Sequence, residues 1–542
     1  MLSLDWNKLL RCVTVATVLS GVPSAQAYTW PNPLMEELDS QVYDRSDYNA
    51  RKLPTGMRPS CGSFVFGEAT GRANVGDWLR VAYHDMATHN KTDGTGGLDA
   101  SIRFEESRDE NAGDGFFNTI FFISPFANRY FSLADDIALA AVTAVEMCGG
   151  PKIAFRGGRV DAQEANAPGV PEPQQTLDEH IASFDRQGFT QEEMIGLVAC
   201  GHSFGGVQNV AFPTIVPPSN DPNNTSGNAP FDSTFTEFDN KVVTEYLDGT
   251  TQNPLVIGPN VTTRSDFRIF NSDNNATMSK FADSSVFMST CADLLARMIN
   301  TVPSTVTLTE EVQPLPIKPT AMTLSFAGNG NIQLKGEVRF WNGSSDSDVK
   351  LFWKSRDGTT SPDFSVPLTL DTDHVTEPLV PGFPSLKSLW YDLPAISVNA
   401  TQSISSFWFE VDGKVEDQNG VGYAMQDIVM MSNGSCLLLG DGTNVQLVLK
   451  FAIRADVKPS RVYLKADALD SSNAPIVQTT DLPLTTPEST LSGYNVWSAT
   501  VASPINGWTV AVDVDGKTYE TTYIVPGTSF SLSYANPTLC PQ

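Results

Sequence analysis

Apolar residues follow two rhythms along the chain. Up to about residue 305 they recur at the three-to-four spacing of helices, in Asp77 to His84, in Leu133 to Met147 and in Met194 to Val198. The last of these follows Thr190 with Glu193 three positions on, the pairing of a capping box. Beyond Thr301 come Pro314, Pro316 and Pro319, and then segments that alternate, Ile332 to Phe340 and Phe407 to Val411. The pattern predicts a multidomain chain: a mainly α-helical domain followed by all-β material.

The β part also repeats itself. Asn331-Ile-Gln-Leu334 returns as Asn444-Val-Gln-Leu447, Lys350 to Lys354 as Arg461 to Lys465, and Phe409 to Lys414 as Val512 to Lys517, at offsets of 113, 111 and 103. Matching order at nearly constant offset predicts two copies of one β-sandwich-like module. The expected layout is a signal peptide at 1–27, a helical domain at 28–305, a Pro-rich linker at 306–320, and β-modules at 321–440 and 441–542.

Composition narrows the setting. The N-terminus offers Lys8 and Arg11, the apolar run VTVATVL, and Ala25-Gln26-Ala27, the order of a secretory signal. No later apolar run approaches the roughly 18 residues of a membrane span, so a secreted, extracellular protein without a membrane partner is expected. With 35 Lys+Arg against 62 Asp+Glu, a net charge of −27, nucleic acid is excluded as a partner. Cys12 leaves with the signal, and the remaining Cys61, Cys148, Cys200, Cys291, Cys436 and Cys540 can all pair in an oxidising compartment. Sequons at Asn90, Asn223, Asn224, Asn260, Asn275, Asn342, Asn399 and Asn433 suit a glycoprotein. A monomer is expected.

Chemistry enters at two places. Gly201-His202-Ser203-Phe204-Gly205 satisfies G-x-S-x-G, which admits an α/β-hydrolase-like esterase with Ser203 as nucleophile. That elbow requires a strand before the turn, whereas Met194, Val198 and His202 share one helical face, and the only later histidine is His374. The second place is Arg80, Tyr83 and His84, which a helix gathers on one face. There an imidazole can take a proton from a peroxide and return it to the leaving oxygen, while a guanidinium stabilises the charge that develops.

These segments resemble the plant, fungal and bacterial haem peroxidase superfamily, closest to its secreted fungal class. RVAYHD at 80–85 is similar to the distal motif, GGLDASIRF at 96–104 to the loop after it, and GLVACGHSFGG at 196–206 to the proximal motif. SLADDIALAAVTAVEMCGGPKIAFRGGRVDA at 132–162 and FDSTFTEFD at 231–239 extend the likeness, which leaves the β-tail uncovered. The resemblance implies a two-lobed helical fold around haem b, hydrogen peroxide as substrate and small phenol-like electron donors. It implies His84 as distal acid/base, Arg80 as its electrophilic partner, Asn111 as the side chain fixing the His84 tautomer, and Glu105 as orienting Asn111. His202 would be the axial iron ligand and Asp266 the carboxylate accepting its N–H, with Asp273 as the alternative. Tyr83 and Phe231 would lie against the cofactor. Two calcium ions are implied as well. Asp85, Gly97, Asp99 and Ser101 would hold the distal ion, and Ser203, Asp232, Thr234, the Glu237 carbonyl and Asp239 the proximal one. Cys61–Cys148 matches a family disulfide, and Cys200–Cys291 is the next pairing to consider.

Departures bound the donor. Where manganese-oxidising members carry carboxylates this chain has Arg72, Gly76 and Gln208, and where lignin-oxidising relatives place a surface Trp it has Leu197. The β-modules could bind polysaccharide or cell wall through Trp353, Trp390, Trp408 and Trp497, if those rings are exposed and not core. A non-catalytic cell-wall protein with a vestigial helical domain remains the other alternative.

Overall fold

The computed structural model describes residues 28–44, 61, 70–341, 343–372, 388–439, 445–484, 486–504, 506–523 and 539–541. The expected signal peptide, His374 and Asn342 lie outside these residues, as does the expected module boundary at 440/441.

The first part is helical. Its elements are α1 (Pro33–Tyr43), α2 (Val75–Met86), α3 (Gly115–Ile123), α4 (Leu133–Met147), α5 (Leu177–Gln187), α6 (Gln191–Gly201), a short hairpin of β1 (Gly206–Gln208) and β2 (Asn228–Pro230), then α7 (Lys241–Asp248), α8 (Pro254–Ile257), α9 (Ser265–Phe270), α10 (Ala276–Phe281) and α11 (Ser284–Ile299). Helix α4 runs through the centre: every residue from Leu133 to Glu146 is buried, with Asp135 paired to the buried Arg159 at 2.8 Å. Both Thr176 and Thr190 close capping boxes with the Glu three residues on, starting α5 and α6 where the sequence signal puts the second. Disulfides join Cys61 to Cys148, Cys200 to Cys291 and Cys436 to Cys540. The second of these ties α6, the helix that ends at His202, to α11.

The second part is built of strands: β3 (Ile317–Gly328), β4 (Asn331–Trp341), β5 (Val349–Lys354), β6 (Ser365–Pro367), β7 (Thr369–Leu370), β8 (Ser388–Asn399), β9 (Ser406–Val411), β10 (Lys414–Glu416), β11 (Tyr423–Ala424), β12 (Val429–Ser432), β13 (Cys436–Leu439), β14 (Val445–Arg454), β15 (Arg461–Leu469), β16 (Pro475–Asp481), β17 (Ser489–Leu491), β18 (Tyr494–Ala502), β19 (Trp508–Val514) and β20 (Lys517–Glu520). The sequence repeats fall at equivalent places: on β5 and β15, and across the β9–β10 and β19–β20 turns. In the first copy β4 and β8 lie over β5 and β9 around one core, and in the second β14 and β18 lie over β15 and β19 around another. The copies are not separate sandwiches, however. Strand β12 pairs parallel with β3, through Met431 beside Ser325 and Ser432 beside Phe326, and so fuses one sheet of each copy into a nine-stranded sheet. Such pairing covers two strand edges that would otherwise be open.

Trp353, Trp390 and Trp497 are buried, which removes them as exposed binding rings. Trp408 is half-buried and stacks on Phe352 across strands β9 and β5.

The expected division at 305 is crossed by the N-terminus. Trp30 sits in the first β core against Phe407 and Tyr423, and its backbone exchanges hydrogen bonds with the Gln418 side chain. Asp39 and Asp44 near the end of α1 meet Arg339 of β4 and Lys318 of β3 in a fully buried four-charge cluster, with Arg339 bidentate on Asp39 at 2.7 and 3.1 Å. Two cations against two anions leave no net buried charge, the condition under which such a group is tolerated. The second copy docks through Arg129, which reaches Asp467 at 2.5 Å and the Lys465 carbonyl at 2.9 Å.

Candidate active site

Helix α2 carries Arg80, Tyr83 and His84, and the end of α6 carries His202; all four line one cavity of about 630 Å³ together with Leu197, Phe231 and Asp266. Gly76 of α2 lets the two elements approach: a Cβ there would lie 3.4 Å from Gly205 Cα.

On the α2 side, His84 Nδ1 is 2.8 Å from Asn111 Oδ1. The amide is oriented by its own nitrogen, which donates to the Glu105 carbonyl at 3.0 Å, so Nδ1 carries the proton and Nε2 keeps its lone pair. The role expected of the Glu105 side chain thus belongs to its backbone oxygen; its carboxylate accepts instead from the Asn166 N–H (2.8 Å) and pairs with Arg108 (2.9 Å). Burial, reinforced by the Arg80 charge, pulls the His84 imidazole down to about 3 against the raising effect of Asn111. Burial also lowers Arg80, to about 10, leaving it a cation at neutral pH. Its guanidinium donates to the Ala112 carbonyl (3.1 Å) and lies over the Phe116 ring. Tyr83 stacks on Phe184 and donates to Gln187 Oε1 at 3.5 Å, and burial pushes its phenol up.

On the other side, His202 Nδ1 donates to Asp266 Oδ2 at 2.8 Å, with Phe231 stacked 4.1 Å from the imidazole. Asp273 is engaged elsewhere, on the Ala276 and Thr277 N–H groups, and is not the partner. A residue not anticipated from the sequence completes this side. Asn253, fully buried, donates to the same Asp266 Oδ2 at 2.7 Å while its own oxygen caps α8 through the Leu255 N–H. An Asn before Pro254 does signal a helix start; nothing local links it to Asp266. His180 also lines the cavity, its Nε2 on the Glu172 carbonyl and its buried Nδ1 without a hydrogen-bond partner.

Haem fits this donor set. The imidazole of His202 has one nitrogen fixed by a carboxylate and the other free toward an apolar-walled cavity, the arrangement that raises ligand basicity. Ser203, by contrast, is fully buried, its Oγ accepts from the Asp239 N–H at 3.2 Å, and helix α6 enters the turn where an esterase elbow has a strand.

The two oxygen clusters differ. Among the described residues no three His, Cys, Asp or Glu side chains converge on one metal position. Around Asp232 the hydrogen bonds leave room: Thr234 donates through N–H to Asp232 Oδ1 (2.9 Å) and through Oγ to Asp239 Oδ2 (3.0 Å), while the buried Asp232 Oδ2 has no partner. Ser203 Oγ is beside Asp239, and Glu237 lies in the same turn. Burial, with the Asp239 and Glu245 charges adding to it, pushes Asp232 up to about 7. That cluster fits a hard cation.

The one beside His84 does not. Asp85 Oδ2 accepts from the N–H groups of Asp99 (2.8 Å) and Ala100 (2.7 Å), and Oδ1 from Ile102 N–H (2.9 Å) and Ser101 Oγ (3.4 Å). All four lone-pair sites of the carboxylate are used. Gly97 serves the turn through its N–H, which donates to Thr88 Oγ1 at 3.1 Å.

Arg72 and Gln208, expected where a manganese ion would be held, do meet. The Gln208 oxygen, with its amide turned to satisfy both groups, accepts from the Arg72 guanidinium at 2.7–2.9 Å. Arg72 also pairs with Asp77 and with Asp114 (3.0 Å).

Comparison with known proteins agrees with this geometry. A family model described as Peroxidase matches residues 65–284. A WSC domain-containing protein of Arthroderma benhamiae is 40% identical over 361 residues, covering 65% of this chain and 49% of its own length. That alignment is longer than the family segment and so takes in residues outside it. The mitochondrial cytochrome c peroxidase of Yarrowia lipolytica is 34% identical over 133 residues, 23% of this chain and 39% of its own length. L-ascorbate peroxidase 5, peroxisomal, of Arabidopsis thaliana is 34% identical over 129 residues, again 23% of this chain and 46% of its own length. The chain spans less than half the length of each of these relatives. Residues 65–284 are thus a peroxidase-family domain, and the cytochrome c and ascorbate peroxidases it is similar to are consistent with the plant, fungal and bacterial haem peroxidase superfamily.

Proposed function

We propose that the protein is a secreted haem peroxidase that reduces hydrogen peroxide to water while oxidising small phenol-like donors. The observation that carries this reading is the pair of imidazoles on one cavity, each with Nδ1 committed and Nε2 left over: His84 to Asn111, His202 to Asp266. When bound, haem supplies an iron that exchanges electrons with the peroxide and then with the donor. His202 would hold that iron through Nε2, and Asp266, by accepting the Nδ1 proton, makes the ring a stronger electron donor.

His84 is neutral at ordinary pH and can accept a peroxide proton at Nε2, then deliver it to the departing oxygen, which leaves as water. Arg80 supplies a fixed positive charge where negative charge grows as the O–O bond lengthens. Asn111 keeps the imidazole in the tautomer with Nε2 free. Two donor molecules each give up one electron and, with protons taken from solvent, the second water forms.

Secretion rests on the charge, apolar and small-residue order of residues 1–27, and on six cysteines joined in three disulfides. One calcium ion at Ser203, Asp232, Thr234, Glu237 and Asp239 would offset the two carboxylates there and brace the turn after His202. Manganese is not the donor in this reading, because the Arg72 guanidinium takes the position such a cation would need. Of the four tryptophans expected to bind polysaccharide only Trp408 is not buried, and such binding is left out of this reading.

The test is a spectrum. Purified protein should show a Soret band and turn over hydrogen peroxide, and His202→Ala should lose the band. A variant that kept both would rule out His202 as the iron ligand, whereas purified protein without a Soret band would return the vestigial-domain alternative to first place.

A further inference from the structure

Beside His84, one nitrogen is ringed by four oxygens. Asn166 Nδ2 lies 2.9 Å from Ser101 Oγ, 3.0 and 2.9 Å from the two Asp99 carboxylate oxygens and 3.3 Å from Thr88 Oγ1. A carboxamide nitrogen carries two hydrogens and cannot satisfy four acceptors at once; such a shell is what a cation gathers. We propose that the Asn166 carboxamide stands in place of the distal calcium ion, so that the protein holds a cation on the His202 side only.

With Asn166 in place the surroundings serve an amide and leave no room for a metal. Calcium takes about six to eight oxygens at roughly 2.3–2.6 Å. Here Asp85 is filled by backbone N–H groups and the Ser101 hydroxyl, and Asp99 Oδ1 accepts from the Ser101 N–H at 3.1 Å as well. The amide is also anchored from outside the cluster. Asn166 N–H donates to Glu105 Oε1 at 2.8 Å, and its carbonyl accepts from Arg108. Arg108 pairs with Glu105 at 2.9 Å, and the Glu105 carbonyl holds the Asn111 amide that holds His84. Asn166 therefore links the Asp85–Asp99 cluster to the tautomer of the distal base, and it is a positioning residue for His84. Unlike an ion, this link cannot be removed by a chelator.

The inference rests on the proximal calcium of the proposed function for the absolute metal count alone; the difference between variants does not depend on it. Haem-loaded full-length protein, Asn166→Ala and Asn166→Asp are dialysed to low calcium, titrated with calcium alone, and analysed for bound metal. Each variant is expected to bind one more calcium per chain than the wild type: Asn166→Ala because the four oxygens then face an open centre, and Asn166→Asp because a further carboxylate oxygen replaces the N–H donor among them. In Asn166→Asp under chelator, the reaction with peroxide should lose its flat pH profile above pH 5, and added calcium should restore it. Should Asn166→Ala fail to fold, the isosteric Asn166→Asp still gives the count. Wild-type protein with two calcium ions, or variants with the wild-type count, would overturn the inference. The proximal reading fails separately, if Asp232→Asn leaves every count unchanged.

Discussion

In the proposed function the two sides of the cavity use one residue type for opposite tasks. Both imidazoles donate Nδ1–H to an oxygen at 2.8 Å, but for His84 that oxygen belongs to a neutral amide and for His202 to a carboxylate. The amide fixes a tautomer without adding charge, which suits a group that must pick up and release a proton. The carboxylate adds negative charge, which suits a group that must hold iron. The difference teaches that the partner at Nδ1, more than the histidine or its helix, decides what Nε2 is for.

The comparison breaks most severely if His202 is changed. Removing the ligand loses the cofactor, whereas His84→Leu should keep the Soret band and slow reaction with peroxide by at least about 10², since a positioned base contributes about 10² to 10⁴. Stopped-flow spectra of both variants separate the tasks; equal loss of haem in both would merge them.

Exchanging the partners sharpens it. Asp266→Asn keeps an oxygen for His202 Nδ1 but removes the charge, so the haem reduction potential should rise and haem affinity fall by about 10 to 100-fold. Asn111→Asp should leave haem binding intact and raise the His84 pKa toward neutrality, seen as an acid limb moving up in the pH profile.

In the unaltered protein that limb should lie low. The buried His84 titrates near 3 when folded, against about 6.5 when unfolded. The unfolded chain therefore binds the proton first as pH falls. The group's contribution to stability is complete above pH 6.5 and is lost progressively between there and about 3, which melting temperatures across that range will show. The peroxide rate should hold flat down to about pH 4.

The smallest effects are expected from the oxygen clusters and from Tyr83. A ligand at a hundred times its Kd stabilises by about 2.7 kcal/mol, so chelation should lower the melting temperature by a few degrees through the Asp232 site. Tyr83→Phe should leave peroxide reaction nearly unchanged, because the phenol is held up by burial and donates to Gln187, with no proton to offer near neutral pH.

The candidate site residues were legible because each sits in a short run whose spacing a helix translates directly into a shared face, as with Arg80, Tyr83 and His84. Asp266 was legible through resemblance, and its distance to His202 decides between it and Asp273. What stayed hidden depends on contacts between distant segments. Asn166 meets Asp99 across 67 positions of chain, and Asn253 meets Asp266 through a helix cap that looks purely local. Glu105 was placed correctly but by the wrong atom, since no pattern of side chains reveals which carbonyl an amide will find. In the β part, strand order within each copy could be expected from the repeat. The parallel β3–β12 pairing could not, because β12 belongs to neither repeated segment.

The cluster of Asp39 and Asp44 with Lys318 and Arg339 has a consequence for how the chain is made. A ribosome delivers residues at about 5 to 20 per second, and Asp39 precedes Arg339 by 300 positions. Helix α1 therefore emerges roughly 15 to 60 seconds before the cations that neutralise it, at the rate just given. Through that interval its two carboxylates favour water, and Trp30 has no core to enter. The first helix of the described residues therefore cannot be seated in order of synthesis: it has to wait for the sheet.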